Sequence, residues 1–91
     1  MKGKTKSGFK FDANEKIRND FRFVRAIAET NGKDEAQKMV GYTTMIRLLL
    51  GEDGVDSLCA HVAETDGTVP MDKIDAELAD ILTQMGERGK K

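Results

Sequence analysis

The stretch Thr43–Leu82 constrains this chain most, because it holds two helical patterns whose boundaries are both marked. TTMIRLLLGEDGVDSLCAHV carries a dense apolar run that stops at Gly51. After the turn TDGTVP, MDKIDAELADIL resumes helical spacing from about Pro70, whose fixed φ and missing N–H suit the first position of a helix. Neither pattern carries an adjacent pair of catalytic side chains. The stretch specifies packing well and chemistry poorly.

Around it, the sequence reads as amphipathic helices. Phe9 and Phe11 flank Lys10 in SGFKFD, the alternation of a short edge strand or an extended arm laying two rings on one surface. Asp12 stands three residues before Glu15, a capping-box-like start to a first helix. Ile17, Phe21, Val24 and Ala28 then form one apolar stripe, widened by Ile27, with Arg18, Arg22 and Arg25 left to solvent. Phe23 lies off that stripe, and Asn31-Gly32 stops the helix.

A second helix is expected from about Asp34 to Leu50, with Ala36, Met39, Val40, Thr43, Ile46, Leu49 and Leu50 on a broad buried face. Gly41 weakens its middle by about 1 kcal/mol relative to Ala, a cost consistent with a kink or close helix contact. Glu52 and Asp53 favour the start of a third helix, with Val55, Leu58, Cys59 and Val62 on its apolar side. The last helix aligns Met71, Ile74, Leu78, Ile81, Leu82 and Met85, ending at Gly86. The expected fold is mainly α, a compact four-helix domain with a short extended N-terminal arm. Its expected limits are a flexible basic tail at 1–8, the helical domain at 9–86 with the arm at 9–11, and a second flexible basic tail at 87–91.

Ninety-one residues suffice for one domain with a modest core, and four Phe, one Tyr and no Trp leave little material for a large aromatic pocket. No apolar run approaches the roughly 20 residues that span a bilayer, and the charged N-terminus has no following apolar region of a Sec leader. A single cysteine cannot close an internal disulfide, which fits a reducing compartment. The net charge of −1 is unevenly laid out. Lys2, Lys4, Lys6 and Lys10 crowd the start, whereas nine acidic residues against Lys73 give Glu52–Asp80 a charge of −8. Basic ends can steer an acidic partner or RNA, but the acidic interior opposes extended nucleic-acid wrapping.

Candidate chemical sites fail on spacing. Cys59 and His61 point in different directions on a helix, and there is no second His to complete a zinc set. Aligning Gly67 with the invariant EF-hand glycine puts Val62 where the first carboxylate belongs and Lys73 at the bidentate Glu position. No Walker loop or dinucleotide-binding glycine pattern is present. No catalytic, cofactor-binding or metal-binding residue can be named, and the expectation is a non-enzyme without cofactor.

SGFKFDANEKIRNDFRFVRAIAE, then MIRLLLGEDGVDSL, then ETDGTVPMDKIDAELADIL, in that order, resemble the small tail assembly chaperones of long-tailed bacteriophages and prophages. The resemblance covers approximately Ser7–Lys91. It implies a non-catalytic protein of the host bacterial cytoplasm, absent from the mature virion. Such proteins bind the tape-measure protein, keep it soluble and help bring tail-tube protein to it. Self-association is a further expectation. Phe9, Phe11, Phe23 and Tyr42 are the protein-binding candidates, because aromatic groups supply compact contact area. The same Phe rings suit the chain's own core, and the sequence leaves that choice open. The competing readings are a small nucleic-acid-associated regulator and a generic phage scaffold or adaptor.

Overall fold

A computed structural model describes residues 1–89, with side chains through Gly86. The chain begins with an antiparallel hairpin in which β1 (Lys2–Lys4) pairs with β2 (Lys10–Asp12), placing Gly3 opposite Phe11. Glycine is needed there because the Phe11 ring lies across it: a Cβ on Gly3 would sit 2.6 Å from Phe11 Cζ. The expected flexible tail at 1–8 is thereby corrected. Lys2 and Lys4 face outward, while the backbone between them pairs and Thr5 is buried. A two-stranded hairpin alone is marginal in water. This one is fastened to a helix, since Gln84 Nε2 donates to Lys4 O at 3.0 Å and Lys6 N–H to Asp80 Oδ2 at 2.7 Å.

One continuous helix from Asp12 does not form. Asp12 belongs to β2, and Asn14 caps a short 3-10 helix, Glu15–Asn19, by accepting from Lys16 N–H at 3.1 Å. Asp20 then breaks the run and caps α1 (Phe21–Thr30), its carboxylate accepting from Arg22 N–H at 2.9 Å. The Arg22 guanidinium folds back onto the same carboxylate at 2.6 Å and holds Asp20 below the usual carboxylate range.

Helix α2 (Glu35–Val62) starts at Asp34, whose side chain accepts from Ala36 and Gln37 N–H. It turns at Gly51, which takes φ 75° and ψ 167°, a backbone region open essentially to glycine alone. Just before the turn, the Leu49 carbonyl accepts from Asn14 N–H at 3.0 Å, so a neighbouring segment satisfies a group the bent helix leaves over. After a turn closed by Asp66 Oδ1 accepting from Thr68 N–H at 2.9 Å, Pro70 leads into α3 (Met71–Gly89). The fold is mainly helical, in three helical runs among the described residues, the second of them two helices joined across a kink at Gly51. The segments expected as second and third helices run into one another through Gly51 without an intervening loop. Residues 87–89, expected in a tail, extend α3, while 90–91 lie outside the described residues.

Ile17, Leu49, Leu58 and Ile81 are the fully buried large side chains, one or more from each main helical segment except α1. Helix α3 buries Ile74, Leu78, Ile81 and Met85 of the stripe its spacing predicts, whereas Met71 and Leu82, expected in the same stripe, are 49% and 38% exposed. The molecule measures 37 × 36 × 19 Å, so its thin dimension is about two helix diameters. Such a shape leaves helix faces uncovered.

Candidate functional site

The uncovered faces are apolar. Where the two arms of α2 approach the start of α3, a groove of about 380 Å³ is walled by Met39, Tyr42, Ile46, Val55, Leu58, Cys59, Val69, Met71 and Ile74, with Thr43 and Arg47 completing it. Met39 and Met71 remain about half exposed, at 48% and 49%. Unbranched, polarizable methionine adapts to differently shaped partners, and it is favoured on surfaces that accept more than one. Tyr42 donates its hydroxyl proton to Asp75, tying α2 to α3 at the groove. Burial, then this bond, push the phenol well above its ordinary pKa, so it stays a neutral donor.

Helix α1 turns the stripe expected in the core outward. Phe21 is 73% exposed, Val24 51% and Ile27 39%, whereas Phe23 and Ala26 are buried. The reason lies in the crossing with α2. Gly41 brings the two backbones so close that a Cβ there would lie 2.8 Å from the Ala26 carbonyl oxygen and 2.7 Å from Glu29 Cβ. The approach falls at Ala26, Glu29 and Thr30, so the side of α1 that carries Ala26 packs against α2. Phe23, Ala26 and Thr30 also follow helical spacing, so both faces of α1 carry a stripe headed by a phenylalanine.

Of the four aromatic candidates, Tyr42 alone lines the groove. Phe9, Phe11 and Phe23 are each 5% exposed and belong to the chain's own core. The structure brings Phe9 against His61, with ring centroids 5.4 Å apart, rather than presenting it to solvent. Met39, Val55, Cys59 and Met71, all assigned to buried faces by periodicity, instead contribute to the groove. Their spacing identified an apolar face; it could not show that the opposing element stops short of covering it.

A larger depression of about 770 Å³ lies between the hairpin and α3, where Thr5, Ser7, Glu77, Asp80 and Gln84 are engaged in hydrogen bonds. Glu77, only 7% exposed, accepts from Thr5 Oγ1 at 2.7 Å and from Ser7 Oγ at 2.9 Å, while Ser7 Oγ is also 2.9 Å from His61 Nε2. Serine, histidine and carboxylate thus meet across 54 and 70 residues of sequence, a meeting no local motif signals. Their order differs from a nucleophilic triad, where the carboxylate orients the histidine and the histidine takes the serine proton. Here the Glu77 carboxylate accepts from Ser7 and lies against the serine, not the histidine. The cluster pins the hairpin to α2 and α3.

Among the described residues, no group of three or more His, Cys, Asp or Glu side chains could hold a metal ion. Among them also, no helix is long and apolar enough to cross a membrane. Comparison with protein-family models, curated proteins and solved structures gave no match. The fold and groove define a small, mainly helical protein with an open apolar groove between α2 and α3.

Proposed function

We propose that this chain is a non-catalytic tail assembly chaperone of a long-tailed bacteriophage or prophage. It acts in the host bacterial cytoplasm and is left out of the mature virion. In this reading it holds an amphipathic helix of the tape-measure protein in the α2–α3 groove, keeps that client soluble, and helps bring tail-tube protein to it. The order of sequence patterns motivates the family; one structural observation supports the binding role. That observation is the open apolar groove with half-exposed Met39 and Met71 on its walls. Helix-in-groove recognition needs such a surface, read by apolar anchors at three- and four-residue spacing.

Charge supports a helical client with basic flanks. Asp56 and Asp72 are exposed on the elements that build the groove and Asp75 accepts from Tyr42 beside it, while Arg47 on the groove wall lies 3.6 Å from Glu52 and Lys73 lies 4.0 Å from Glu64. Co-expression with the tape-measure protein of the same phage should raise that protein's soluble fraction and recover it in a pull-down. Loss of both effects, with each chain folded, sinks the reading.

The nucleic-acid alternative is favoured by the hairpin, where Lys4 and Lys10 stand directly opposite with no acidic residue between them. Such a role requires phosphate contacts, and therefore binding that weakens steeply with salt. Absence of binding to RNA or DNA at low salt removes it.

A further inference from the structure

We propose that the outer edge of β2 takes an extended peptide of a partner protein as a third strand, with one carboxylate facing Lys10 and apolar residues turned inward. Backbone geometry carries this. Thr5 N–H donates to Phe9 O at 2.9 Å, Ala13 N–H to Met1 O at 2.8 Å, and the Met1 ammonium to Ala13 O at 2.7 Å. Hydrogen-bonded pairs alternate along an antiparallel ladder, so the odd-numbered residues, Gly3 with Phe11 included, bond inward. Lys10 and Asp12 therefore aim their N–H and C=O groups away from β1. Among the described residues none of those four groups meets a partner.

The other edge of the hairpin is closed, because α3 reaches Lys4 O through Gln84 and Lys6 N–H through Asp80. Beside β2 there is room. A hollow of about 300 Å³ lies between residues 9–12 and Leu50, Gly54 and Ser57 of α2, and another of about 360 Å³ runs on past Ala13 to Gly51. Asp12 and Leu50 border both. At the far end Asn14 N–H, the next outward group, already donates to Leu49 O at 3.0 Å. The turn in α2 thus ends the edge with the kind of bond an added strand would make. These hollows share no lining residue with the α2–α3 groove, so the proposal does not rest on what that groove holds.

Side chains select the occupant. Lys4 and Lys10 stand opposite each other on the exposed face of the hairpin, and like charges so placed are destabilising until an anion joins them. A carboxylate opposite Lys10 on the added strand supplies that anion. Asp12, next along the same face, disfavours a second acid there. Asp53 on the α2 wall disfavours one on the inner side, where Phe9, Phe11 and Leu50 line the hollow. The occupant is then a strand with one acid between apolar residues, held by its main chain and sorted by alternate side chains. A second copy of the hairpin does not fit, since its own α2 wall would have to enter the same hollow.

The probe is an acetylated, amidated pentapeptide in which threonine and valine alternate about a central glutamate. Titrated into the full chain at low salt, it should shift the Lys10 and Asp12 amide resonances and slow their exchange with solvent. An added strand uses only alternate amides, so N-methylation at the glutamate should weaken binding about tenfold or more, and at a valine by less than about twofold. Asp12→Pro removes one outward N–H and no ladder bond, and should weaken binding where the control Asp12→Ala does not. Should Asp12→Pro fail to fold, the two N-methylated peptides decide the matter on the natural chain. Equal effects of the two N-methyl groups, or no shift at Lys10 and Asp12, overturn the proposal. So does a single-stranded oligonucleotide that shifts these amides when the peptide does not, since it gives the lysine face to nucleic acid. Protection of the same amides that rises with protein concentration, without peptide, also overturns it by reporting a second copy on the edge.

Discussion

Gly41 and Ala26 set the distance between α1 and α2, since a Cβ on Gly41 would stand 2.8 Å from the Ala26 carbonyl oxygen. Ala is the better helix former by about 1 kcal/mol, so intrinsic propensity alone predicts that Gly41→Ala stabilises. The contact predicts the opposite. Backbone cannot move aside cheaply, and overpacking costs about 1–3 kcal/mol. Gly41→Ala should lower the urea midpoint with little change in the slope of the transition. A raised midpoint would show that the crossing has slack.

Gly51 tests a different effect. No heavy atom lies within 4 Å of a Cβ built there, so a methyl group meets open space. The loss on Gly51→Ala is then purely conformational, about 1–3 kcal/mol for an L-residue held in this region. Thermal unfolding should report it as a drop of several degrees. An unchanged transition would mean that α2 does not need this turn.

Phe9→Ala and Phe11→Ala separate core from interface. With each ring 5% exposed, truncation removes buried surface at about 3–5 kcal/mol apiece. That approaches the whole stability of a typical small domain. The double variant should therefore lose its cooperative thermal transition before any client is added. A folded double variant that fails only in client capture would return both rings to the binding surface.

How far this was legible in the sequence varies by element. Helix α3 was readable in its centre, because Ile74, Leu78, Ile81 and Met85 repeat at helical spacing and pack, while Met71 and Leu82 at the edges of the same stripe stay exposed. Helix α1 misled, because Phe21, Val24 and Ala28 form a stripe at least as apolar as the one that packs. What decides between the stripes is the backbone approach at Gly41, a contact between elements. The hairpin was hidden for a similar reason. Three lysines within residues 1–8 read as a solvated tail, while the groups that anchor it, Glu77, Asp80 and Gln84, lie more than seventy residues away. The groove was invisible as a groove: periodicity marks apolar faces and says nothing about which stay uncovered.

Tyr42 gives a pH prediction free of interference, because it is the chain's single tyrosine and there is no tryptophan. Burial and the bond to Asp75 raise its folded pKa above the unfolded value of about 10. The stability this contributes is complete below the unfolded pKa and is lost as pH rises beyond it towards the folded one. Phenolate absorbance of the folded protein should stay low at pH values where the urea-unfolded chain is already ionised. Coincident titrations would contradict the Tyr42–Asp75 arrangement. Tyr42→Phe should remove the difference in alkaline stability between the two sides of that range.

Occupancy of the groove is tested most directly by the methionine methyl resonances of selectively labelled protein, with and without the co-expressed tape-measure client. Met39 and Met71 line the groove and are half exposed, whereas Met45 and Met85 are 8% and 4% exposed in the core. A helix seated between α2 and α3 shifts the Met39 and Met71 signals and leaves those of Met45 and Met85 nearly in place. A stable complex in which Met39 and Met71 keep their free-state shifts would contradict the groove as the client site.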